Sequence, residues 1–217
     1  MLFKKFIKNY FKNLKKKKLL ILSGGKSVKK IYYLISTLIL NQQNTDILTL
    51  DERVSSNLKF SNYIFIKKIF IKNCKVFSIS KKTSFDLKNI IKKIQENDAL
   101  TIMGIGDDGH FASIFSHSKK FKQLINLKKK PNICNVEKIG KPYCKRTTMN
   151  LSMISLSSKI ILVLNNKKKL NLLVKFIKSK NTKIPVNILL KKNMKKILIF
   201  FNNKLLTINK FNKIYAS

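Results

Sequence analysis

Cysteine is scarce in this chain of 217 residues, and the three present, Cys74, Cys134 and Cys144, form no closely spaced pair. With only two histidines beside them they make no metal-ligand spacing, which argues against a structural zinc site. Their odd number and the lack of a cysteine framework fit a reducing compartment. Long hydrophobic runs are missing as well. Residues 31–40 are interrupted by Ser36 and Thr37 and fall short of the ~20 residues that span a bilayer, so no transmembrane helix is expected. Acidic side chains number nine against 47 basic ones, a net charge of +38 that points first to nucleic acid or an anionic membrane. Arginine, however, is nearly absent: Arg53 and Arg146 are the two, against 45 lysines, 23 asparagines and 30 isoleucines, residues favoured by AT-rich codons. A protein built to grip phosphate backbones would also use arginine's bidentate fork, so the charge is read as coding bias. A hydrophobic content of 44% excludes a wholly disordered chain.

What is present has the rhythm of an α/β protein: short apolar runs pass through turns into longer helical patterns. Residues 1–17 place Leu2, Phe3, Phe6, Ile7, Tyr10, Phe11 and Leu14 at helical spacing with lysines opposite. There is no continuous apolar core for a signal peptide. This basic amphipathic helix is read as packing on its own domain, with a membrane surface or an organelle address as the alternative. Strands are expected at residues 18–22, 46–50, 76–80, 99–103, 159–164 and 197–201, and helices at 28–40, 84–97 and 167–178. Residues 61–72 read as a helix, although their β-branched side chains keep strand open. Residues 119–141 read as a polar, irregular surface excursion. No internal repeat is found, and the expected organisation is one domain over 1–217, with a core at about 18–201.

The rare residues carry the chemistry. Five of six glycines fall in two loops that follow expected strands, where ligands meet the carboxyl ends of an α/β sheet. The first, Ser23-Gly24-Gly25-Lys26-Ser27, leads into a helix whose free N–H groups and positive dipole end favour an anion. Lys26 adds charge, and Ser27 can cap the helix or donate to a phosphate oxygen. Leu20 stands where a nucleotide P-loop needs its first glycine, so a single phosphate monoester is favoured. The second loop, Gly104 to His110, satisfies GxGxxG, yet Asp107 and Asp108 would repel a pyrophosphate and no acid follows at the ribose distance. It offers instead His110, read at a helix start after two acids, as a general base or acid. His117 has no such setting and is read as structural. Asp51-Glu52-Arg53 follows a strand in the same manner and reads either as a solvated charge cluster or as part of the site. Arg146 begins a segment of alternating polarity and could clamp a phosphate bidentately or form a salt bridge.

Taken in order, LILSGGKS (20–27), DERV (51–54) with Ser61-Asn62, MGIGDDGHFASIF (103–115), KPYCKRTTMN (141–150), KIILVLNNKKKLNLL (159–173) and KIPVNILL (183–190) resemble the 6-phosphogluconolactonase family. That family lies within the glucosamine-6-phosphate isomerase/deaminase superfamily. Arg53 and Ser113-Ile114-Phe115 side with the lactonases, since the deaminases carry DE before an aromatic and continue DGH-x-A with Phe-Asn-Glu-Pro. The resemblance implies a three-layer α/β/α fold with a Rossmann-like, mostly parallel sheet. It implies hydrolysis of 6-phospho-D-glucono-1,5-lactone in the oxidative pentose phosphate pathway, with no metal or organic cofactor. His110 is then the group that activates water, and Arg53 stabilises the oxyanion. Asp51 or Asp108 orients one of them, the choice being open. Gly24, Gly25, Lys26, Ser27, Gly106, Arg146 and Lys168 hold the substrate, and the lysine assignment could slip by one position to Lys167 or Lys169. The expected protein is a cytoplasmic monomer that takes a phosphorylated sugar lactone and no specific nucleic acid. The rivals are a glucosamine-6-phosphate isomerase/deaminase and a basic nucleic-acid binder on an old enzyme scaffold.

Overall fold

A computed structural model describes residues 1–12, 17–39, 45–70, 74–80, 86–179 and 181–216. Its first half runs α1 (Phe3–Lys12), β1 (Lys18–Leu22), α2 (Lys29–Leu38), β2 (Thr45–Thr49), β3 (Asp51–Val54), α3 (Asn62–Phe70), β4 (Lys75–Phe77), α4 (Leu87–Glu96) and β5 (Leu100–Gly104). The second half runs α5 (Phe121–Leu124), β6 (Ile133–Ile139), β7 (Cys144–Met149), α6 (Leu151–Ile154), β8 (Lys159–Val163) and α7 (Lys167–Ser179). It ends with α8 (Pro185–Lys192), β9 (Ile197–Phe201), β10 (Lys204–Thr207) and α9 (Ile208–Phe211).

Seven strands form one sheet in the order β10-β9-β8-β5-β1-β2-β4, parallel throughout except for the β9-β10 hairpin. The central strand β1, KLLIL, is buried at every position, as a strand covered on both faces must be. Its side chains alternate between two cores, Leu19 and Ile21 entering one, Leu20 and Leu22 the other. The first core is closed by α4, α7 and α8 through Ile90, Ile94, Leu173, Phe176 and Leu189. The second is closed by α1, α2 and α3 through Phe3, Ile7, Ile35, Ile66 and Phe70. This is the expected α/β/α sandwich.

The N-terminal helix belongs to that sandwich. Phe3, Ile7 and Phe11 are buried, each worth about 1.5–3 kcal/mol of transfer free energy. Phe3 meets Phe200 edge to face, and the backbone of residues 1–3 bonds to residues 203–205. The Tyr10 hydroxyl donates to the Asp98 carbonyl, and buried Lys18 pairs with the Asp98 carboxylate at 3.1 Å.

Strand order reverses between β1 and β5: later strands add outward from β1 on one side and from β5 on the other. A crevice opens at such a reversal, beyond the carboxyl ends of the strands. A second sheet, β3-β7-β6, is antiparallel and stands beside it. Leu50 joins the two, donating to the Leu22 carbonyl and accepting from Met149 N–H. One residue later the chain has changed sheets and carries Asp51 and Arg53 to the crevice.

Several expectations need correction. Asp51-Glu52-Arg53 is not a solvated charge cluster following β2 but strand β3, with Asp51 and Glu52 buried. Residues 119–141 are not irregular: they hold α5 and the seven-residue strand β6. The alternation of β6 is broken by a register shift between Val136 and Ile139, which hides its period. No helix starts at His110; residues 105–118 are turns with one isolated bridge, and α5 begins only at Phe121. Residues 61–72 resolve as helix α3 over the described part. The expected helix ends at residues 40, 71–72 and 84–85, and residues 13–16, lie outside the described residues. β10 was not anticipated, although Asn202 and Asn203, both at positive φ (46° and 59°), form the tight turn that makes it.

Candidate active site

The crevice at the β1/β5 reversal is a cleft of about 510 Å³. Both glycine loops reach it, and so do Arg53 from β3, Arg146 from β7 and Lys169 from α7. In the antiparallel ladder Arg53 and Arg146 are direct partners, so the only two arginines of the chain face each other across one pair of strands. Like charges opposite one another cost stability, and an anion between them would relieve it. Burial pulls the Arg146 guanidinium below its usual value; Asp51 opposes this and Arg53 adds to it. Arg146 gives Nε to the Ile139 carbonyl (2.8 Å) and Nη2 to the Pro142 carbonyl (3.0 Å), which fixes the head and leaves its remaining N–H groups. Arg53 spends Nη1 on the Phe60 carbonyl, while its Nε is buried with no partner among the described residues.

The triplet around Arg53 divides its work. Glu52 turns inward and accepts from the backbone N–H groups of Arg53, Asn62 and Tyr63 and from the Ser61 hydroxyl. It is thus a buried carboxylate at the start of α3, satisfying amides that the helix cannot. Asp51 is also buried and is held by Ser113 Oγ (2.6 Å) and Asn62 Nδ2 (3.1 Å). It bonds neither His110 nor Arg53 among the described contacts.

Asp108 is the carboxylate on His110. Its Oδ1 lies 2.5 Å from His110 Nδ1 and also accepts the His110 backbone N–H (3.1 Å). Partial burial pushes the Asp108 carboxyl up, but the hydrogen bond and charge of His110 outweigh it and hold it down at about 2. Ionised Asp108 therefore accepts Nδ1–H and leaves Nε2 with its lone pair. The sequence left Asp51 and Asp108 as alternatives for this place; the geometry puts Asp108 there. The pair fits only because residue 106 is glycine: a Cβ there would lie 2.0 Å from His110 Nδ1 and 2.8 Å from Asp108 Oδ1. Gly24 is required in the same way by Asn62, whose Oδ1 would stand 1.9 Å from an added Cβ.

Gly24, Gly25 and Ser27 line the cleft, whereas Lys26 is exposed and does not. The first turn of α2 has neither a side-chain cap nor an acid, so Ser27 does not cap it and its positive end is uncompensated. Lys168 is exposed and does not line the cleft, although its charge is felt by Asp107. Lys169 takes the place expected for it, 15% exposed and donating to the Ile105 carbonyl (2.9 Å) and Asp107 (2.7 Å). That bond, with the charge of Lys169, lowers the Asp107 carboxyl below its ordinary value. His117 also lines the cleft. Gly140, the glycine outside the two loops, reaches it from the β6-β7 turn, a position the sequence did not single out. Among the described residues no cluster of three or more His, Cys, Asp or Glu could hold a metal ion, and no helix is long and apolar enough to cross a membrane.

Residues 3–199 match the family described as glucosamine-6-phosphate isomerases/6-phosphogluconolactonase. The chain belongs to that family. Within it, a 6-phosphogluconolactonase of Helicobacter pylori is 27% identical over 165 residues, covering 72% of this chain and 70% of that protein. Among solved structures, a 6-phosphogluconolactonase from Shewanella baltica superposes with a TM-score of 0.74 at 20% identity, covering 91% of this chain and 90% of the other. A monomeric glucosamine-6-phosphate deaminase superposes with a TM-score of 0.67 at 17% identity, covering 90% and 89%. The fold is therefore common to both branches of the family, and the distinction between them rests on the site.

Proposed function

We propose that this member of the family hydrolyses 6-phospho-D-glucono-1,5-lactone to 6-phospho-D-gluconate in the oxidative pentose phosphate pathway. The observation that carries the reading is the His110–Asp108 pair, set with its free imidazole nitrogen in a cleft that holds both arginines. The relatives named as 6-phosphogluconolactonases support the same substrate.

A lactone already carries a reactive carbonyl, so the site has three tasks: to place C1, to activate water and to stabilise the oxyanion. His110 Nε2 accepts a proton as water attacks C1, and Asp108 steadies the imidazolium that forms. Arg53, which lines the cleft, stabilises the negative carbonyl oxygen through the guanidinium N–H groups that face it. The C1–O bond to the ring then breaks, and the imidazolium returns its proton to the departing ring oxygen. Water has been added across the ester, and no covalent intermediate is needed. At the far end the Gly24-Gly25 backbone, Ser27, the start of α2, Arg146 and Lys169 hold the 6-phosphate.

The whole chain acts in this reading as one monomeric domain in the cytoplasm, without a specific nucleic-acid partner. The direct test is lactone hydrolysis by the purified protein after subtraction of spontaneous opening. Ammonia release from glucosamine 6-phosphate without lactone hydrolysis would instead assign the deaminase reaction. Sequence- or structure-selective nucleic-acid binding at physiological salt, again without lactone hydrolysis, would assign the third reading, since unselective salt-sensitive attraction is expected of any protein this basic.

A further inference from the structure

Beneath the cleft lies a side chain that touches both of its ends. The Phe115 ring is 3% exposed and stacks on His110 with centroids 4.1 Å apart and planes at 28°. The Arg146 guanidinium carbon is 5.4 Å from the centroid of the same ring. Gly140, at φ 73°, closes the cluster so tightly that a Cβ would lie 2.7 Å from Phe115 Cζ and 2.9 Å from Arg146 Nη2.

His110 needs such support. Asp108 holds Nδ1, but one hydrogen bond does not fix the plane of the imidazole, because the last torsion of a histidine is broad. Stacking supplies the missing constraint, and the two together aim Nε2. Arg146 packs by cation–π attraction on the surface that sets this plane. Its own freedom is limited by the Ile139 and Pro142 carbonyls, so a charge drawn to Arg146 acts on a fixed assembly.

We infer that Phe115 is a positioning residue that couples the phosphate end of the cleft to the orientation of His110. The inference rests on the lactonase reading and deepens it: the substrate phosphate contributes to turnover as well as to affinity. Removing the ring should then lower kcat for the phosphorylated lactone by about 10- to 100-fold, the scale of a misaimed catalytic group. Unphosphorylated gluconolactone loses the same stacking but places no charge on Arg146, so its kcat should fall by a smaller factor.

The experiment compares wild type, Phe115→Leu, the unbranched Phe115→Met and Gly140→Ala, which presses on the cluster from the other side. kcat and KM are measured on both lactones, and the His110 ring protons are followed by NMR, where stacking on Phe115 holds them upfield. Expected are a kcat loss selective for the phosphorylated lactone and a downfield move of the His110 protons in both Phe115 variants. Gly140→Ala should show the same selective kcat loss with the Phe115 ring still present, and urea unfolding of each variant keeps the fold question separate. Equal loss on both lactones, a change confined to KM, or unmoved His110 protons would overturn the inference. A wild type without lactone hydrolysis would instead overturn the proposed function itself, and the NMR shift would still report whether the stack exists.

Discussion

Replacing Glu52 by glutamine keeps the shape of a buried side chain and reverses the chemistry at one of its two ends. In the native protein Oε1 accepts from Arg53 N (2.8 Å) and Asn62 N (2.7 Å), and Oε2 from Tyr63 N (2.7 Å) and Ser61 Oγ (3.1 Å). A glutamine can place its oxygen against the first pair, and the Ser61 hydroxyl can rotate to accept from the new amide. The Tyr63 N–H then meets another donor, at a cost of about 1–3 kcal/mol. The two surviving bonds lose their charge assistance, about 1 kcal/mol each, and the start of α3 loses an anion worth about 0.5–1 kcal/mol. Against this, the amide avoids the desolvation of a buried charge, an opposing term of several kcal/mol. With that opposing term at about 3 kcal/mol, the net expectation is a destabilisation of about 0.5–3 kcal/mol. Equilibrium unfolding in urea should register it as a midpoint lowered by about 0.3–1.5 M with an unchanged slope. A Glu52→Gln midpoint within about 0.2 M of wild type would refute the account of Glu52 as the anchor joining β3 to α3.

Other expectations concern the cleft and the N-terminal helix. His110→Asn should keep the fold and most of the substrate affinity while slowing lactone hydrolysis by about 10²–10⁴-fold; near wild-type turnover after correction for spontaneous opening removes His110 as the base. Arg146→Ala should impair the phosphorylated lactone far more than gluconolactone, and equal losses would make the residue structural. Because the Asp108 carboxyl is depressed to about 2 from an ordinary 3.8, its stabilising pairing is complete above the ordinary carboxylate range and is lost only as the pH falls towards 2. Thermal unfolding of wild type and Asp108→Asn should therefore differ at pH 6 and converge as the pH approaches 2. Ile7→Ala should cost about 2–5 kcal/mol by urea unfolding, whereas a helix lying on a membrane would leave the isolated protein unaffected.

The sequence was most legible where one periodicity ruled. β1, β5 and β8 are continuous apolar runs, and α2 and α7 carry clean apolar stripes, so their places in the sandwich could be read directly. The antiparallel sheet was harder. Its strands are short or shifted in register, and β3 follows β2 after a single residue, so no turn signal marks the change of sheet. In the site, scarcity was the useful signal: two arginines, few glycines and one histidine after two acids led to one cleft. What composition could not convey was which side chains serve the others. Glu52 lies between two cleft residues yet faces inward, and Lys169 replaces Lys168 because helical phase, not charge, decides which lysine meets the cleft. Phe115 and Gly140 are apolar or featureless as letters, and only their distances reveal a role.

The union of α1 with the β9-β10 hairpin has a consequence for how the protein is made. Helix α1 leaves the ribosome about 200 residues ahead of its partners Phe200, Asn203 and Leu205. Until they emerge, the Phe3 end of this basic helix lacks its cover, close to anionic ribosomal RNA. Closure is thus a long-range event that waits on the synthesis of β9 and β10, and that wait is an interval in which the nascent chain is open to aggregation and proteolysis.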